Sequence, residues 1–159
     1  MYFIKPETPE QRVESALRSF GFDRAIIHGR KLIIVDDSIV RGFTTQGIIG
    51  ALFELGAKEI TLVSGMPPVT DPCHWGIDMS KHEELLFHKL GGREDPEGFP
   101  ARVAEWLAPG KPLSVRFQDV NDYLSVIQRL DPNTTHFIET SGGCYHCVSG
   151  VVPLGVKTP

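Results

Sequence analysis

The feature that most constrains this chain is an apolar run ending on two adjacent carboxylates: Leu32-Ile33-Ile34-Val35, then Asp36-Asp37. Four consecutive branched or aliphatic residues read as a strand buried on both faces. The polar stretch Ser38 to Gly42 reads as a loop, and apolar residues at helical spacing predict a helix over 45–56, closed by Gly56. Strand, short loop and helix in that order are how a parallel α/β sheet presents a site at the carboxyl ends of its strands. The strand would aim the two acids, while the loop and helix start would offer backbone N–H groups to an anion. Acids for hydroxyls beside amides for a phosphate point to a phosphoribosyl ligand. On its own, an Asp pair after a strand is equally a turn or helix-start signal.

Whole-chain numbers narrow the possibilities. At 159 residues there is room for one domain with a real core. A net charge of −4 with no basic face argues against a nucleic-acid partner. No apolar run approaches membrane-spanning length and no signal-peptide pattern is seen, so no membrane association and a cytoplasmic location are expected. Three cysteines are an odd number and do not suggest a disulfide framework.

Along the chain, Val13, Ala16, Leu17 and Phe20 give residues 9–20 helical spacing, with Gly21 as a stop. After the 32–36 strand and the 45–56 helix, whose apolar face is Ile48, Ile49, Leu52, Phe53 and Leu55, Ile60 to Val63 predicts a second strand. That is a βαβ unit, so the two strands should be parallel. A helix is expected at 80–90, another at 100–107, an extended piece at 113–117 and a helix at 119–130. Glu83-Glu84 reads as a solvated helix face, Trp75 and Trp106 as packing residues, and Asp131-Pro132-Asn133 as a turn. His28, His82, His88 and His136 have no companions at catalytic spacing.

The run Val35 to Gly42, Val-Asp-Asp-Ser-Ile-Val-Arg-Gly, resembles the phosphoribosyl-pyrophosphate loop of the glutamine-dependent amidophosphoribosyltransferases. Further pieces follow in that family's order. Glu54 to Glu59 is similar to its Glu-Ala-Gly-Ala-Lys-Glu helix ending. Pro67-Pro68-Val69 and Pro72 to Asp78 resemble its Pro-Pro-Ile and Pro-Cys-Phe-Tyr-Gly-Ile-Asp, and Glu83-Glu84-Leu85 falls where it has Arg-Glu-Glu-Leu. Cys144 to Pro153 resembles its terminal Cys-x-x-Cys-Phe-Thr-Gly-x-Tyr-Pro. Tyr2 to Pro6 is similar to the end of its flexible active-site loop, with Met1 and Tyr2 in place of arginine and threonine.

The resemblance implies an α/β fold: part of the Rossmann-like parallel sheet of type I phosphoribosyltransferases, with a helical, Cys-bearing C-terminal extension. Residues 1–30 would be a remnant of the flexible loop and a helix, 31–90 the core with the phosphoribosyl-pyrophosphate loop, and 91–159 the extension. It implies a chemistry in which ammonia displaces pyrophosphate at the anomeric carbon of phosphoribosyl pyrophosphate, through a transition state like an oxocarbenium ion. Asp36 and Asp37 would be the catalytic pair, accepting hydrogen bonds from the ribose hydroxyls and holding Mg²⁺. Ser38, Ile39, Val40, Arg41, Gly42, Thr44 and Thr45 would cradle the 5-phosphate. Phe43 stands where the family has threonine, and Arg41 is equally readable as a solvated surface residue. Cys73, Cys144 and Cys147 match three of the four cysteines that hold a [4Fe–4S] cluster in iron–sulfur members, the fourth lying outside this chain. A lone Cys-x-x-Cys is equally half a zinc site, a redox pair or two buried thiols. The glutaminase domain, the pyrophosphate loop and the front half of the sheet are not in this sequence. The expected partners are therefore phosphoribosyl pyrophosphate or a nucleotide, and a second copy or a complementing chain that carries those parts, with activity depending on it. The alternative is a non-catalytic phosphoribosyl-binding module or a metal-binding structural remnant. Half a sheet should also leave exposed strand edges and apolar surface.

Overall fold

The computed structural model describes residues 21–73, 81–130 and 146–149. In chain order it holds α1 (Arg24–Ile27), β1 (Lys31–Asp36), α2 (Phe43–Glu54), β2 (Glu59–Ser64), a 3₁₀ turn (His82–Glu84), α3 (Leu86–Lys89), α4 (Phe99–Leu107), β3 (Leu113–Phe117), α5 (Val120–Leu130) and α6 (His146–Ser149). The expected helix over 9–20 and the turn at Asp131 lie outside the described residues, as do Trp75, Cys144 and His136.

Among the described residues the sheet has three strands in the order β1-β2-β3, all parallel. Leu32 pairs with Ile60 and Asp36 with Ser64, so both strands end level at the edge where the acids stand. β3 continues the sheet beyond residue 90: Ile60 pairs with Leu113 and Ser64 with Phe117. Its period of two puts Val115 inside while Ser114 and Arg116 face water.

α2 and α4 cover one face. Ile60, Leu62, Ile49 and Val103 are completely buried there, each contributing roughly 1.5–3 kcal/mol of transfer free energy. Two clusters share this layer. One joins Leu62 and Val115 to Phe99, Val103 and Leu107; the other joins Ile60 to Ile49, Leu52 and Leu55. α2 ends as its sequence requires. Gly56, at φ 95°, lets the amides of Gly56 and Ala57 return to the carbonyls of Phe53 and Leu52 at 3.0 Å each.

The opposite face is different. Among the described residues β1 is an edge strand, and its outward side chains Ile33 and Val35 are 74% and 73% exposed. Parallel sheets are ordinarily covered on both faces, and here Ile33 and Val35 make an exposed apolar surface on β1.

The expected helix over 80–90 is broken in two. Leu85 is extended (φ −75°, ψ 130°), and the Leu86 amide, instead of continuing a helix from His82, donates to the Val40 carbonyl at 2.9 Å. A tertiary hydrogen bond to the loop after β1 has displaced a local one.

Candidate functional site

β1 carries Asp36 as its last residue, on the covered side of the pleat, and Asp37 follows in the loop. Asp36 is half-buried and Asp37 exposed. The chain turns back on these carboxylates. Asp36 Oδ1 accepts from the Asp37 amide at 3.0 Å, and Asp37 Oδ1 accepts from the Ser38 amide at 2.6 Å and the Ser38 hydroxyl at 3.4 Å. β2 ends close by, where the Gly65 amide donates to the Asp36 carbonyl at 2.9 Å. A Cβ on Gly65 would sit 3.5 Å from that oxygen.

The loop then dips into the core. Ile39 is 4% exposed and packs with Leu62, Leu86 and Val103, so it presents only its backbone to the site. Gly42 caps α2 in the left-handed region at φ 77°, with no side-chain cap. The first intrahelical bond runs from the Gln46 amide to the Gly42 carbonyl at 2.8 Å. The amides of Phe43, Thr44 and Thr45 precede it and point out of the helix start, where an anion is favoured.

The side chains sort themselves less simply than the sequence suggests. Thr44 is exposed, but Thr45 is buried, and its hydroxyl approaches Asp36 Oδ2 at 3.5 Å rather than the mouth of the loop. Phe43 does not fill the cradle. Its ring lies edge-on against Trp106 at 5.8 Å between centroids, with Lys89 Nζ 5.0 Å above it. Trp106 itself packs behind the loop, so a Cβ on Gly42 would fall 2.7 Å from its ring.

Two sequence expectations change here. Arg41 is not simply solvated, and Glu84 is not a bare helix face. The Arg41 guanidinium donates to Glu84 Oε2 through Nε at 3.0 Å and through Nη2, with the two side chains 33% and 40% exposed. That hydrogen bond, helped by the positive charge of Arg41, holds the Glu84 carboxyl below its ordinary 4.5, against a smaller opposing effect of desolvation. His82 and His88 also have each other: Nδ1 of one lies 3.1 Å from Nε2 of the other, which reaches the Thr70 carbonyl at 2.6 Å.

The cysteines form a second locality. Cys73 and Cys147 both border the cluster of Val69, Leu85 and Val148. The loop and α6 are joined where the amides of Thr70 and Asp71 donate to the Cys147 carbonyl at 2.7 and 3.2 Å. His146, beside Cys147, is buried. Among the described residues no three His, Cys, Asp or Glu side chains gather around one point. Mg²⁺ does not need such a cage: it commonly takes one or two carboxylates, with water and substrate phosphate completing its shell. The Asp36-Asp37 pair suits it on those terms. No described helix is long and apolar enough to cross a membrane.

Trp106, Leu86, Glu84 and Lys89 all bear on the loop; the sequence marks Trp106 as a packing residue but ties none of the four to the loop. The Glu-Glu-Leu piece was the available signal, but nothing in it names Arg41 as a partner.

No family model matches the chain. It is 33% identical over 123 residues to the amidophosphoribosyltransferase of Synechocystis sp., covering 77% of this chain and 25% of that protein. It is 35% identical over 135 residues to the amidophosphoribosyltransferase of Escherichia coli K12, covering 85% of this chain and 24% of that protein. Its structure is similar to that of the glutamine phosphoribosylpyrophosphate amidotransferase from B. subtilis complexed with ADP and GMP, with a TM-score of 0.61 and 30% identity. That match covers 95% of this chain and 30% of the other. The chain thus spans about a quarter to a third of the length of these relatives.

Proposed function

We propose that this chain, which matches the C-terminal phosphoribosyltransferase portion of the amidophosphoribosyltransferases, binds phosphoribosyl pyrophosphate or a related nucleotide at the loop after β1. As part of a larger assembly, it would serve the transfer of an amino group to C1 of the ribose. The observation that carries this reading is the placement of Asp36 and Asp37 at the carboxyl end of β1, one loop away from the outward-pointing amides of Phe43, Thr44 and Thr45.

In this reading the two carboxylates accept hydrogen bonds from the ribose 2- and 3-hydroxyls and orient the ring. Their negative charge lies beneath the anomeric carbon, where it stabilises the positive charge that develops as pyrophosphate departs. Ser38, Ile39, Val40, Arg41, Gly42 and Thr44 give backbone or hydroxyl donors to the 5-phosphate. Thr45 orients Asp36 from behind. Mg²⁺ held by Asp36 and Asp37 would neutralise diphosphate charge when bound.

Cys73, Cys144 and Cys147 are proposed as three ligands of a [4Fe–4S] cluster, the fourth position falling to another chain. Support comes from Cys73 and Cys147 bordering one apolar cluster. Iron and acid-labile sulfide after anaerobic purification would support it, and protein carrying neither would refute it for this chain.

The partner is proposed to be a chain that supplies the pyrophosphate loop, the ammonia source and a strand for the open edge of β1. Exposed Ile33 and Val35 support this. The reading places the assembly in the cytoplasm. The test is reconstitution: phosphoribosylamine formation from phosphoribosyl pyrophosphate and ammonia on mixing with a separately expressed chain bearing the complementary parts. Activity requiring both chains supports the proposal. Failure of wild-type protein to bind phosphoribosyl pyrophosphate with Mg²⁺ at millimolar ligand overturns it.

A further inference from the structure

The loop that presents the amides has little of its own to hold it. Gly42 gives no side-chain cap, and Gly42 is also the residue with the greatest backbone freedom in it. Besides Ile39 in the core and Trp106 behind Gly42 and Phe43, one short segment far along the sequence holds it. Val40 accepts from the Leu86 amide at 2.9 Å. Arg41 is joined to Glu84 by two donors on one oxygen. Leu86 Cδ2 lies 3.1 Å from where a Gly42 Cβ would stand, and Lys89 sits over the Phe43 ring. Four successive residues, 40 to 43, are thus held by residues 84 to 89.

We infer that Glu84 is a positioning residue for the phosphate loop: by holding the Arg41 side chain, it keeps the loop amides in their anion-binding arrangement. The inference rests on the phosphoribosyl reading of the loop for its consequence, though not for its mechanics. Arg41 would otherwise be the natural side chain for a phosphate, since a guanidinium matches phosphate geometry. Here its Nε edge and one Nη are directed to Glu84. The loop therefore grips through its backbone, and the arginine's charge is used to shape it. Glu84 touches no ligand in this account and acts only through Arg41.

The experiment is a double-mutant cycle on the full chain, with variants E84Q, R41Q and E84Q/R41Q, read in two ways. Amide hydrogen exchange of peptides covering residues 37–46 is measured without ligand. The dissociation constant for phosphoribosyl pyrophosphate with Mg²⁺ is measured by calorimetry. Each single variant should speed loop exchange about threefold to fivefold, as expected for loss of a partly exposed ion pair, with exchange in β2 unchanged. Each should weaken binding by a similar factor. The double variant should be no worse than R41Q alone, because Glu84 acts only through Arg41. Effects that add, or loop exchange indifferent to E84Q, overturn the inference. So does tighter ligand binding by E84Q, which would mean that a released Arg41 serves the phosphate directly. If wild-type protein fails to bind the ligand while the exchange pattern appears as described, the phosphoribosyl reading falls and the positioning role of Glu84 stands.

Discussion

Replacing Gly42 with alanine should be among the most damaging single-methyl additions this domain can suffer. Two separate costs apply. At φ 77° the backbone lies in the left-handed region, where a residue with a Cβ is disfavoured by about 1–2 kcal/mol. The new methyl would also fall 2.7 Å from Trp106 Cζ3 and 3.1 Å from Leu86 Cδ2. An indole ring cannot step aside as a lysine tip would, and overpacking of this kind costs typically about 1–3 kcal/mol. Together they give a loss of roughly 2–5 kcal/mol. In urea, with a slope of about 1–3 kcal/mol per molar, the midpoint should drop by about 1 M or more. Measured against W106L alone, which has its own packing cost, G42A should cost only the backbone part. G50A is the control: Gly50 lies inside α2 with open space around it, and alanine there should stabilise by about 0.5–1 kcal/mol. A G42A midpoint within error of wild type, or no relief from the tryptophan change, would refute this account of how the loop is packed.

Other consequences are equally open to test. Glu84 and Asp95 are both held below their ordinary 4.5 and 3.8: Glu84 chiefly by Arg41, and Asp95 chiefly by Arg102 and then the Gly98 amide. Carboxyls lowered in this way stabilise the fold above their ordinary values, and that contribution is lost as the pH falls through the lowered ones. Urea midpoints should therefore decline below about pH 4.5, and less steeply in E84Q; identical profiles would contradict it. The open edge of β1 should drive association of the isolated chain, visible by sedimentation. I33K/V35K should shift the population toward monomer with little change in fold stability, since both side chains face solvent. A wild-type chain that sediments as a stable monomer would count against association through this edge.

Much of the architecture is legible in local pattern because local pattern is what produces it. Leu32 to Val35 is short, branched and bounded by Asp36, as a strand is, Gly42 and Gly56 bound α2 through conformations that other residues resist, and period two marks Leu113 to Phe117. What was not legible depends on pairs distant in sequence. Glu84 reads as solvated until Arg41, 43 residues away, is seen to meet it. The helix expected over 80–90 ignores a carbonyl at Val40 that draws off the Leu86 amide. A run such as Ile33-Ile34-Val35 reads as buried on both faces, and the exposure of Ile33 and Val35 becomes apparent only in the structure, where β1 is the outermost strand among the described residues. The direction of the Phe43 ring is likewise illegible, because sequence position carries no information about rotamer; Trp106 provides the surface it packs on.

The central claim is that Asp36 and Asp37 hold the ribose of a ligand whose phosphate rests on the amides at the start of α2. Calorimetric titration of wild-type, D36N and D37N protein with phosphoribosyl pyrophosphate and Mg²⁺ tests it most directly. Saturable binding by wild type, weakened about tenfold to a hundredfold by either change, is the predicted result, that being the usual worth of hydrogen bonds to a charged group. Binding that is indifferent to both substitutions would place the ligand somewhere else on the molecule and contradict the claim.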